Sequence, residues 1–355
     1  MPDLYPMILD PKLAPAIWGS DALVKQFGKN GDPSEKIGES WECWDTNKVT
    51  NGPLAGTTVA ALRELLGAQL MGDLDASQMF PVLTKIIDAH ASLSVQVHPD
   101  DAYAQRVEGQ RNGKTECWYV MRAESGSRLV MGWNRQTERA EYERRVADGT
   151  LAGILREVAV KAGDVFYIPA GMLHAIGAGI VIFETQQASD LTYRIFDWNR
   201  LGTDGKPRPL HVQKAADVLD YQAGTGAGAE VLPYAAEGFA RTALVADAHF
   251  LVERVTATET PAMLATHARP LILMALQDPL TVSATGGTAD VRPYQTALIP
   301  ADTHAVSVGA ATSAPFLLVT PSLSQEALQK RFADAGVALP AITQFLDQFR
   351  TPANA

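Results

Sequence analysis

Cysteine is nearly absent: Cys43 and Cys117 are the two in a chain of 355 residues. A disulfide framework needs several and a thiolate zinc site needs spaced pairs, so neither holds this protein together. Cys117 lies in the strand-like run ECWYVM, where a buried thiol is the ordinary state. Also missing is any uninterrupted apolar stretch of about 18 residues, the length a membrane-spanning helix requires. The opening MPDLYPMILDPKLAP lacks the basic patch and apolar run of a secretion signal. A cytoplasmic protein with no membrane partner is therefore expected. A basic excess is lacking too, because 30 Lys and Arg face 40 Asp and Glu, for a net charge of −10. That balance excludes the broad cationic surface of generic nucleic-acid binding, so any anionic ligand must be held by a few local cations.

What is present is ordinary globular material, 46% hydrophobic and 20% charged, and about two domains long. Short β-branched or aromatic runs dominate: SLSVQVH, TECWYVM, SRLVMGW, DVFYIPA and GIVIFETQ, each bounded by Gly, Pro or Asp. Such spacing reads as a mainly β protein of barrels or sandwiches with a few peripheral helices. Helical periodicity is local: residues 57–70 behind a capping Thr, 137–158, 211–222, and 322–336 near the end. The Gly/Ala run AGTGAGAE at 223–230 reads as a linker, which divides the chain into units at 1–222 and 231–355. Strands running into Ile-Pro-Ala and then a His recur in both, as GDVFYIPAGMLH and QTALIPADTH, a faint echo of duplication. The second copy has no counterpart of Gln96, Glu116 or Gly171, so it is expected to be structural.

Chemistry concentrates in the first unit. In LSVQVHPDD (93–101) strict alternation puts Leu93, Val95 and Val97 on one face of a strand and Ser94, Gln96 and His98 on the other. The segment from Gly163 through Pro169 and Gly171 to His174 has the spacing G-x5-P-x-G-x2-H, a tight turn that aims a His inward, and it resembles the second motif of the cupin barrels. A jelly-roll barrel is wide enough to hold a metal in its mouth. Gln96 and His98 would both face the lumen, with Glu116 of GKTECWYV and His174 closing the set. Two imidazoles, a carboxylate and an amide oxygen suit zinc or a neighbouring divalent metal and leave a position open. The other five histidines, His90, His211, His249, His267 and His304, read as surface or satisfied core residues.

The ordered motifs IWG (17–19), IGESWE (37–42), FPVLTKIIDA (80–89), LSVQVHPDD, GKTECWYV (113–120), IPAGMLHAIG (168–177) and ETQQASDLTYRIFDWNR (184–200) resemble type I mannose-6-phosphate isomerase. They span residues 16–200 in the family's order, and the remainder is similar only in being a second β unit. The stretch between His98 and Glu116 is longer than the first cupin motif allows, and Ala178 stands where that motif often has Asn. The family's pattern shares both departures. The resemblance implies a compact bacterial-type enzyme with two jelly-roll domains and one zinc ion, interconverting mannose 6-phosphate and fructose 6-phosphate. It places the metal ligands on Gln96, His98, Glu116 and His174, and it puts Lys85, Lys114 and Ser94 near the substrate.

Isomerisation requires removing a proton alpha to a carbonyl, stabilising an enediolate and returning the proton to the neighbouring carbon. Arg194 suits the enediolate, being permanently charged and able to donate two parallel hydrogen bonds; the alternative is a salt bridge to Asp190 or Asp197. Lys85 and Lys114 suit the phosphate. The base is Glu184, Lys114 or a metal-bound water, with Glu184 favoured because desolvation in IVIFET would raise its pKa. Trp18, Glu39, Trp41 and Trp198 are read as packing or supporting groups. Two other readings stand beside the isomerase. A cupin-type iron oxygenase would use two His and one carboxylate, but Gln96 would fill a position that oxygen needs. A non-catalytic sugar-phosphate binder would have no use for Arg194. Monomer and homodimer remain equally open.

Overall fold

The structure, a computed structural model, describes residues 3–202, 204–224, 228–309 and 314–350. Residues 225–227 of the expected linker lie outside the described residues. Among those described, the strands form four antiparallel sheets stacked face to face. The outermost, five-stranded, runs Tyr193–Phe196, Val95–Val97, His174–Ile176, Arg128–Trp133, Leu155–Ala159. Next comes a six-stranded sheet in the order Val165–Ile168, Glu116–Ala123, Ile180–Gln187, Val82–Ala89, Ile37–Cys43, Lys12–Ser20. An eight-stranded sheet packs on its far side, and a four-stranded sheet covers that in turn. These are two jelly-roll sandwiches back to back, a mainly β fold with few helices.

The sequence explains the layering. Sheets packed on both faces need strands that are apolar or satisfied on both, and Val82–Ala89, Ile180–Gln187 and Leu271–Ala275 are buried at every position. Trp118, Phe166 and Ile182 of the six-stranded sheet meet Leu129, Met131 and Ile176 of the five-stranded one. On the opposite face, Cys117, Phe183 and Ile86 meet Leu244, Ile272 and Val319. Both cysteines are free and lie in this central layer, where burial pushes the thiols up and out of reactive range.

The two halves share a sheet. Met7–Asp10 pairs with Thr296–Ile299 of the second unit on one side and Lys48–Val49 on the other. No helix among the described residues is long and apolar enough to cross a membrane.

Several expected elements differ in extent. The helix at 57–70 is two, Val59–Leu66 and Ala68–Met71, because Gly67 takes a positive φ between them; Thr58 does cap the first, its hydroxyl accepting from Ala61 N. The helix at 137–158 is Arg139–Ala147 followed by a 3-10 turn, and its tail becomes the strand Leu155–Ala159, paired with Arg128–Trp133. The helix at 211–222 is shorter, Val212–Val218, and a further helix, Leu339–Asp347, follows Gln325–Asp334. Alternation in LSVQVH holds only from Val95. Val95 and Val97 pack outward under helices, whereas Leu93 lies with the inward cluster, since the ladder begins at Val95. Both Ile-Pro-Ala segments begin at a strand end, yet His174 is fully buried and His304 is exposed.

Candidate functional site

The inner side of the first sandwich brings three donors to one point. His98 follows the Val95–Val97 strand, His174 opens His174–Ile176, and Glu116 opens Glu116–Ala123. All three are buried, and their ligand atoms lie within 4.8 Å of one another. Glu116 Oε2 stands 3.6 Å from His98 Nε2, and Oε1 stands 3.4 Å from His174 Nε2. The imidazole tautomers follow from their partners. His98 Nδ1 donates to the Leu191 carbonyl at 2.7 Å and His174 Nδ1 to the Met172 carbonyl at 2.9 Å. Each ring therefore turns an Nε2 lone pair toward Glu116, and that of His98 has no hydrogen-bond partner there. Burial depresses both pKa values, His98 well below its ordinary range and His174 to about 4, so both rings are neutral donors.

Local chain geometry sets these positions. Gly171 adopts φ +86°, and its N–H donates to the His98 carbonyl at 2.9 Å, so the turn leading to His174 is tied to the strand carrying His98. Gln96 is the cross-strand neighbour of His174, with its amide nitrogen 3.2 Å from His174 Nε2. The stretch between His98 and Glu116 folds into helical turns, Asp101–Tyr103 and Ala104–Glu108, and returns through Gly113, whose N–H donates to Asp101 Oδ1 at 2.7 Å. Lys114 follows, fully buried, with Nζ 3.0 Å from Glu116 Oε2. Burial works against its charge, but Glu116 and Glu184 more than offset this and hold its pKa up.

Beside the cluster opens a cavity of about 330 Å³, into which Ser94, Gln96, Lys85, Lys114, Glu184 and Arg194 all project. Lys85 Nζ lies 3.3 Å from Glu39, 3.5 Å from Glu184 and 3.9 Å from Asp190. Glu184 accepts a hydrogen bond from Trp118 Nε1 at 3.2 Å. Its burial, followed by the charge of Glu116, raises its pKa against the pull of Lys114 and Lys85. Arg194 sits directly across from Gln96 in the sheet, half-buried, its Nη1 donating to the Pro209 carbonyl at 3.1 Å. It has no salt bridge to Asp190 or Asp197. Asp197 is instead gripped by Arg200 and Arg208, each at 2.6 Å. Of these arginines, Arg194 and Arg208 line the cavity.

Comparison with known proteins agrees with this geometry. Residues 7–123 match the family described as phosphomannose isomerase type I, catalytic domain. The mannose-6-phosphate isomerase of Streptococcus mutans is 41% identical over 255 residues, 70% of this chain and 77% of that one. This chain belongs to the mannose-6-phosphate isomerase family. Another member, ManA of Bacillus subtilis, is 42% identical over 223 residues, 61% of this chain and 68% of its own. A crystal structure of the Bacillus subtilis mannose 6-phosphate isomerase superimposes with a TM-score of 0.80 at 29% identity, covering 88% of this chain and 99% of that one.

Within this isomerase-family cavity, several lining residues were not singled out from the sequence. Glu39 and Trp18, read as packing or supporting groups, line it, and so do Asp190, Thr192 and Arg208. Trp41 donates to Glu39 Oε2 at 2.7 Å, and Trp198 fastens its turn by donating to the Leu93 carbonyl at 2.7 Å. His211, read as a surface or satisfied core residue, accepts from the backbone N–H of Arg194 at 3.1 Å and so helps fix that strand. Glu39 carried a legible signal, being a carboxylate at alternate spacing in IGESWE. Arg208 lies in a loop without periodicity and carried none.

Proposed function

We propose that this protein interconverts mannose 6-phosphate and fructose 6-phosphate with a zinc ion held by His98, Glu116, His174 and Gln96. The observation that carries the reading is the convergence of two neutral imidazoles, one with an unpartnered Nε2, and a buried carboxylate beside a cavity of hexose-phosphate size lined by two lysines and two arginines. The donors fit the ion: tetrahedral zinc with bonds near 2.0–2.1 Å separates its ligands by about 3.3 Å, close to the 3.4 and 3.6 Å between Glu116 and the two rings. Gln96 becomes a fourth donor when its amide turns to present the oxygen. When bound, the cation supplies Lewis acidity toward the sugar oxygens O1 and O2.

The chain's own residues do the rest. Glu184, lining the cavity with a raised pKa, is the base that takes a proton from C2 of the aldose and returns it to C1, while the hydroxyl proton of O2 passes to O1. Trp118 and Lys85 hold its carboxylate in place. Arg194, opposite Gln96, meets the negative charge that develops on the enediolate, and Lys114 supports it with a second cation. Lys85 is matched by three carboxylates, so its charge serves Glu184 more than the phosphate. Arg194 and Arg208, both lining the cavity, meet the phosphate dianion, with Ser94 as a neutral donor. We also keep the division into a catalytic unit over 1–222 and a supporting unit over 231–355 as part of this proposal.

The test is the rate of fructose 6-phosphate formation from mannose 6-phosphate, before chelation, after it, and with zinc restored. Activity that vanishes and returns supports the whole reading. No turnover by folded, zinc-loaded protein would overturn it.

A further inference from the structure

We propose that a cleft between the two sandwiches, on the opposite face of the Glu116–Ala123 strand from the metal cluster, binds a small phosphate-bearing molecule between Arg122 and Arg254. The argument starts with a β-bulge. Glu116, Trp118 and Val120 face inward, toward the metal side, and Cys117 and Tyr119 face the eight-stranded sheet. Alternation would send Arg122 inward. Between Val120 and Arg122 the pairing with Ile182 and Val181 slips, leaving Met121 as the extra residue. Arg122 is thereby turned outward beside Tyr119, and Ala123 takes the inward place.

The bulge delivers Arg122 to a cavity of about 260 Å³ between the sandwiches. Arg254, from the Phe250–Ala257 strand of the second unit, enters from the other side and lies near enough to Tyr119 to counter the upward push that burial gives its phenol. No carboxylate lines this cavity, and neither arginine has an ion-pair partner among the described residues, in a protein carrying ten excess negative charges. Arg122 is the more telling of the two. Its guanidinium lies 5.8 Å from the Phe27 ring centroid and Nη1 donates to Gln26, yet its Nε is shut from water without an acceptor. With only a neutral amide and an aromatic ring beside it, the guanidinium keeps its full charge for an anion in the cavity. The two guanidiniums match the double charge and planar-fork geometry of a phosphate. Phe27 and Tyr294, packed at 4.6 Å, give an apolar wall for the remainder of the ligand, and Gln277 a neutral hydrogen-bonding group.

Calorimetric titration of the full-length, zinc-loaded protein with inorganic phosphate should fill two sites per chain, one in the catalytic cavity and one here. Arg122→Gln with Arg254→Gln should lose one site and leave kcat and KM for mannose 6-phosphate in phosphate-free buffer unchanged. A folded double variant that titrates like wild type overturns the proposal. Arg254 is exposed, so Arg254→Gln alone retains the fold should the double variant not; it should bind phosphate at this site at least about tenfold more weakly, and wild-type affinity there overturns the proposal equally. A parallel titration with glycerol 3-phosphate separates the sources: tighter binding assigns the site to an ester, equal binding to the inorganic ion.

Discussion

Glu116 is the residue on which the site's charge turns, since it faces both imidazoles and Lys114 at once. Losing a direct ligand should cost more than the roughly 10- to 100-fold typical of losing an outer-shell partner. His98→Ala and Gln96→Leu are therefore expected to lose zinc and turnover together while circular dichroism stays unchanged; zinc at wild-type affinity in the His98 variant would refute that ligand. Arg194→Ala should keep the metal and lose about 10²–10³ in kcat, the usual cost of removing one donor to a developing oxyanion. Glu184 must be ionised to act as base, and burial raises its pKa. The acid limb of kcat/KM should thus lie above the ordinary carboxylate range, activity falling as pH drops through it, and Glu184→Gln should be slow at every pH. The metal-free protein gives a second pH test. His174 titrates near 4 when folded against about 6.5 unfolded, so the unfolded chain binds the extra proton and stability drops as pH falls from 6.5 toward 4. The drop attributable to this group is on the order of 3 kcal/mol, and melting curves of chelated His174→Gln should lack it. At this scale the sequence was legible where side chains alternate on strands, as for Gln96 and His98. It was silent for Arg208, whose loop has no period to read.

Among the elements, the return of the chain from the helical turns after His98 is tightly packed. A Cβ on Gly113 would lie 2.3 Å from the Asp100 carbonyl carbon and 2.4 Å from the Pro99 oxygen, both backbone atoms. Gly113→Ala should cost about 1–3 kcal/mol by overpacking, displace Lys114 and Glu116, and weaken zinc binding; a variant with unchanged melting temperature and zinc affinity would count against this. Most strands were visible in their β-branched runs. The Leu155–Ala159 strand was not, because LAGILREV has an apolar spacing that suits a helix as well, and only pairing with Arg128–Trp133 decides it. The bulge at Met121 was equally hidden, since nothing local distinguishes it from continued alternation.

For the whole molecule, the join between halves is a matter of hydrogen bonds as well as packing. A protease site placed within 223–230, once cut, should leave two pieces that co-elute in gel filtration, because Met7–Asp10 stays zipped into the second unit's sheet. Separate elution without denaturant would contradict this. No sequence pattern announces that pairing, since its partners are about 290 residues apart and each reads as an unremarkable apolar strand. The same pairing has a consequence in time. Met7–Asp10 cannot find its neighbour Thr296–Ile299 until about 290 further residues are made, a wait of roughly 15–60 s at ordinary elongation rates. Through that interval the strand can pair on one side only, with Lys48–Val49, and its other edge stays open to whatever strand it meets.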